Sequence, residues 1–163
     1  MAAKQHPSRS EYVVSVSAEE REALARRLGK GGSVEPIGGG SDLTLIKLTD
    51  PEGDARKAWE QLHETVRGGT HLQPVMLDPN GKPQYPTGEI SVRFRSALAD
   101  AELRDFAKRH GLRLVRRNEF VPEQAVFEPL KKDQYLPDVI DEVSAADESR
   151  LAWANTIASY QRD

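Results

Sequence analysis

The sequence contains no cysteine. That excludes disulfides, thiolate catalysis and cysteine-ligated metal in one step. Aromatic residues are scarce: four Phe, four Tyr and two Trp must serve a chain of 163 residues. Any hydrophobic core therefore rests on aliphatic side chains and a few rings. No apolar run approaches the ~18 residues that a membrane-crossing helix requires. Excess positive charge is lacking too. The formal net charge is −3, so no global attraction to nucleic acid is expected. The first residues, MAAKQHPSRSEY, hold no apolar core of a signal peptide, and a cytoplasmic location is expected.

Charged residues make up 30% of the chain and hydrophobic ones 37%, which suits one ordinary domain or two small ones. Residues 1–10 are polar, without periodicity, and predict a disordered leader. EYVVSVS at 11–17 is β-branched and predicts a strand. SAEEREALARRLG at 17–29 carries every sign of a helix. Ser17 is placed to cap it, Glu19 and Glu20 sit in the first turn, Arg26 and Arg27 in the last, and Gly29 ends it. Strands are predicted at 32–37 and 42–48 around a GGGS turn. A helix follows with Ala55, Trp59, Leu62 and Val66 at helical spacing, then a strand at 71–77.

Residues 78–88 are rich in Pro and Gly, include Asn80-Gly81, and predict a turn and linker. The same order then recurs: strand 89–95, helix 98–111, strands 112–120 and 122–130, helix 134–146, strand 151–160. The first helices of the two halves align, 18–29 on 100–111. Leu24 falls on Phe106, Ala25 on Ala107, Arg27 on Arg109 and Gly29 on Gly111. The predicted class is α+β: two tandem ferredoxin-like β-α-β-β-α-β units with antiparallel sheets, at 11–77 and 89–163. The alternative is one larger α+β domain with a shared eight-stranded sheet. Either way the last strand should place Leu151, Trp153 and Ile157 against a core.

Motifs for chemistry are nearly absent. His63-Glu64 opens like a zinc-protease helix, but Arg67 stands where the second histidine belongs. The four histidines, His6, His63, His71 and His110, have no ligand spacing, so no metal and no other cofactor is expected. Gly29-Lys30-Gly31-Gly32-Ser33 lacks the spacing of a phosphate loop and follows a helix instead of preceding one. No nucleophile elbow occurs, and the reading is of a protein that is not an enzyme. The second half gathers Arg93, Arg95, Lys108, Arg109, His110, Arg113, Arg116 and Arg117. With Phe94 and Phe127 as stacking platforms, these would suit an RNA-recognition module, but PEQAVFEPL lacks its third-strand signature. A solvated face, or salt bridges of these arginines to Asp105, Glu119 and Glu123, is the simpler reading.

ISVRF, AKRHGLRLVRR, AVFEPL and LAWANTIASYQR, in this order, resemble the N-terminal prodomain of subtilisin-like serine proteases, the fervidolysin-like kind included. His110-Gly111-Leu112 and Ala152-Trp153-Ala154-Asn155 carry the likeness, which covers about 89–162; residues 11–77 match in element order alone. The resemblance implies a binding module that inhibits a subtilisin-like protease and assists its folding. It implies that the open sheet face docks on two surface helices, with Glu119 and Glu123 capping their N-termini. Tyr160, Gln161, Arg162 and Asp163 would lie in the substrate cleft as an added strand. A protein–protein adaptor is the alternative of another class, and an RNA-binding module the lesser one.

Overall fold

The computed structural model describes residues 5–37, 43–51, 53–66, 70–131 and 134–157. It is an α+β structure of eight strands and four helices. The strands of each unit pair antiparallel. The chain divides into two compact units, one spanning 3–86 and the other centred on Thr87–Thr156.

The first unit comprises β1 (His6–Ser15), α1 (Ala18–Leu28), β2 (Gly32–Pro36), β3 (Leu43–Leu48), α2 (Ala55–Thr65) and β4 (Thr70–Leu77). Its helix starts follow the capping logic of the sequence. Ser17 Oγ accepts the Glu20 amide while the Glu20 carboxylate accepts the Ser17 amide, a reciprocal capping box. Asp54 Oδ1 accepts the Lys57 amide at 2.8 Å. The β1 segment Tyr12-Val13-Val14 is buried at every position, as is Leu45-Ile46 of β3. A strand buried on both faces needs an unbroken apolar run, which explains why these segments do not alternate. Tyr12 donates to the Ala55 carbonyl of α2. Val13, Leu45 and Val75 cluster with Ile37 and Tyr85. Trp59 is buried in α2 and donates its indole N–H to the Leu72 carbonyl at 2.8 Å.

Two boundaries depart from expectation. The leader is not free: β1 begins at His6, which pairs with Leu77, while Pro7 pairs with Met76. A bulge at 8–11 permits this. Ser8 Oγ accepts the amides of Ser10 and Glu11, and the β1–β3 ladder starts only at Glu11. Pro7 therefore lacks a ladder partner on that side, where its missing N–H costs nothing. The expected 78–88 linker shrinks to a hairpin turn. Asp78 Oδ1 accepts the amides of Asn80 and Lys82, and Gly81 takes φ +80°. Strand β5 (Pro83–Phe94) then starts six residues earlier than the sequence pattern indicates, pairing Gln84 with Met76.

The second unit comprises most of β5, α3 (Asp100–Arg109), β6 (Leu112–Arg117), β7 (Gln124–Pro129), α4 (Leu136–Ser144) and β8 (Ser149–Ile157). Its strand order is β8-β5-β7-β6. The core is built on three rings. Phe106 of α3 meets Phe94 edge-on at 5.0 Å and lies 5.5 Å from Phe127. Ile90, Val92, Leu103 and Ala125 fill the space around them. The predicted helix stops recur, with Gly29 at φ +54° after α1 and Gly111 at φ +66° after α3. On β8 the buried residues are Ser149 and the small Ala152 and Ala154; Leu151, Trp153 and Ile157 are half-buried. The core thus takes the alanines of this strand in place of the expected Leu151 and Trp153.

Replacing Trp59 by Phe keeps the ring but orphans the buried Leu72 carbonyl. Urea denaturation is expected to show a loss of about 1–3 kcal/mol.

Candidate functional site

Alternation along the strands of the second unit separates two faces. Ile90, Val92 and Phe94 of β5 and Ala125 and Phe127 of β7 face α3, and the His110 Nδ1–Glu142 contact of 2.7 Å ties α4 beside α3. The other face holds Glu89, Ser91 and Arg93 of β5, Gln124, Val126 and Glu128 of β7, and Asn155 of β8. Several of these polar groups bond to one another, although Arg93 Nε is buried without a partner. Ser91 Oγ donates to Asn155 Oδ1 at 2.6 Å, Asn155 Nδ2 reaches Glu89 at 3.4 Å, and Arg93 donates to Gln124 at 3.0 Å. Ser91 and Val126 at the centre of this face are buried, so its exposed ground is the periphery.

The arginines that looked basic in sequence are largely neutralised at home. Arg113 pairs with Glu128, Arg116 with Glu89 at 3.6 Å, and Arg117 with Asp100 at 3.3 Å. Arg109 pairs with Asp105 and Glu148. Of the three acids expected to answer them, only Asp105 does so. A bulge in β6 between Leu114 and Arg116 is part of the reason. It sets Arg117 opposite Ala125, on the α3 side, where it reaches Asp100 instead of the loop acids. Phe94 and Phe127, weighed above as base-stacking platforms, are 1% and 0% exposed and belong to the core.

The exposed feature is the β6–β7 loop, residues 118–123. Asn118 Oδ1 accepts the amides of Phe120 at 2.9 Å and Val121 at 3.1 Å, a side-chain-closed turn. The Asn118 amide donates to the Gln124 carbonyl and the Gln124 amide to Val121, both at 2.9 Å. The Phe94 amide of β5 donates to the Glu123 carbonyl at 2.7 Å. Arg117 donates to the carbonyls of Pro122 and Leu98. These bonds tie the loop backbone at Phe120, Val121, Pro122, Glu123 and Gln124. The loop displays Phe120 at 90% exposure between Glu119, which is exposed, and Glu123, which is partly so. Neither acid's side chain has an ion pair or hydrogen bond among the described residues. The sequence points to both acids and reads Phe120 as the last residue of the strand expected over 112–120. The signal present was Asn118, whose side chain favours turns, followed by Pro122.

The predicted cleft-binding residues Tyr160, Gln161, Arg162 and Asp163 lie outside the described residues. Among those described, no three His, Asp or Glu side chains gather as a metal site would require, and no helix is long and apolar enough to cross a membrane. The first unit has an open cavity of about 230 Å³ between its helices, lined by Leu28, Leu48, Pro51, Ala58 and Leu62. Among the described residues Asp50 is its one ionisable lining group. No family model matches the sequence.

Removing the Asn118 acceptor with Asn118→Ala should cost about 1 kcal/mol of stability. Hydrogen exchange should show faster exchange of the Phe120 and Val121 amides and an unchanged core. The carboxyl of Glu148 is held below its ordinary value of 4.5 by its own backbone amide and by Arg109. Its contribution is present above that value and is lost as pH falls through the lowered one. Thermal melts from pH 7 to pH 3 should therefore fall less steeply for Glu148→Gln than for the parent chain.

Proposed function

We propose that the protein is a non-enzymatic, prodomain-like module that binds a subtilisin-like serine protease, inhibiting it and assisting its folding. In this reading each unit is a ferredoxin-like sandwich, and the second unit, 89–163, is the one that resembles the protease prodomains. Its β-α-β-β-α-β element order, with the first and third strands central, supports the assignment of fold. Such a fold hosts many functions, so it does not by itself select one.

The observation that carries the functional reading is the β6–β7 loop. It holds two carboxylates without an ion pair among the described residues, Glu119 and Glu123, on a backbone held by Asn118 and Arg117. Uncommitted anions held in place are what the positive N-termini of surface helices attract, each contact contributing up to ~1–2 kcal/mol. The tail Tyr160 to Asp163 follows β8 in the sequence and would pair along the protease cleft as an added strand. Burial of Phe94 and Phe127 removes the stacking surface that the RNA reading needed.

The assay is titration of the chain into purified subtilisin acting on a chromogenic peptide, alongside refolding of the denatured protease. Inhibition and an increased yield of active protease are expected. Deleting residues 160–163 should weaken inhibition at least about tenfold, the share of one strand-like contact in a small interface. Neither inhibition nor a refolding gain would falsify the reading, and full inhibition after the deletion would remove the tail from it.

A further inference from the structure

We propose that the β6–β7 tip is a docking knob, in which Phe120 enters an apolar pocket of the partner while Glu119 and Glu123 meet positive charge on that pocket's rim. This rests on the protease-binding reading and names the side chain that anchors it. A single exposed apolar residue is ordinary on a protein surface and would carry nothing alone. Three features set Phe120 apart.

The first is extent. At 90% exposure nearly the whole benzyl group is in water, whereas Phe94, Phe106 and Phe127 of the same unit are almost fully buried. The second is rigidity. The Phe120 amide is held by Asn118, the turn is closed at Gln124, and Pro122 is held by Arg117. Aromatic anchors on preordered backbone lose little entropy on binding, and such residues dominate interface energies. The third is charge. Every arginine of β6 has a carboxylate partner, yet the two carboxylates flanking Phe120 have none among the described residues. An apolar pocket with an electropositive rim complements this arrangement, and an acidic or uniformly apolar surface does not. Leu130, the other large exposed apolar residue, lies at the far end of β7, so the contact is a point anchor.

The test is inhibition of purified subtilisin by the full chain and by Phe120→Ala, Phe120→Leu and Glu119→Gln/Glu123→Gln, with a thermal melt of each. Phe120→Ala should melt with the parent chain and inhibit about tenfold or more weakly. Phe120→Leu should recover most of the loss. The double glutamine variant should bind more weakly and lose the salt dependence of the parent complex. Equal inhibition by the parent chain and Phe120→Ala overturns the anchor and leaves the protease-binding reading standing. A parent chain that does not inhibit overturns both. A dimer of the parent chain that Phe120→Ala abolishes assigns the knob to self-association and also overturns the proposal.

Discussion

The contact of Phe106 with Phe94 and Phe127 governs the second unit. Three rings from α3, β5 and β7 meet within 5.0–6.2 Å, and all three are almost fully buried. Once they define the inner face, the two-residue period of the strands sends Glu89, Ser91 and Arg93 to the other side. The same packing limits what β8 contributes inward to Ala152 and Ala154, and leaves Trp153 half-buried on the polar face. In a chain with few aromatics, the position of three of them decides where the polar and the apolar surface lie.

Charge pairing then decides which polar groups remain available to a partner. An exposed ion pair contributes only ~0–1 kcal/mol to stability, so the arginine pairs of β6 are a weak source of folding energy. Their consequence is neutralisation. A segment that is basic in sequence presents little net positive charge once Glu128, Glu89 and Asp100 are beside it. At the loop tip beside Phe120, the carboxylates Glu119 and Glu123 have no ion pair among the described residues. Function, in the reading proposed here, follows from what the fold leaves uncommitted.

Much of the architecture was legible in the chain. The capping box at Ser17 and Glu20, the positive-φ stops at Gly29 and Gly111, and the order of strands and helices in both halves were readable because they depend on neighbours within four residues. The likeness of the two first helices also survives, with Leu24 and Phe106 both in their cores. The errors were of another kind. Residues 6–10 read as leader by composition and proved to be strand, because Leu77 and Met76 lie opposite them. The supposed linker ran straight into β5, because Asp78 closes the turn in five residues. At the proposed site, Glu119 and Glu123 are singled out from the sequence, while Phe120 reads as the end of a strand. The turn signal of Asn118 and Pro122 is local, but which residue the turn exposes is settled by the ladder partners across it.

By itself, then, the sequence determined the α+β class, the helix boundaries and the absence of cysteine chemistry, since these follow from local propensity and from composition. Tertiary structure alone decided which arginines are neutralised, which side of β8 faces inward, and that Phe120 stands in water between two free carboxylates. These depend on residues far apart in the chain, such as Arg116 with Glu89 and Phe94 with Glu123. Pairing at that distance is settled by strand register, which a one-residue bulge in β6 is enough to change.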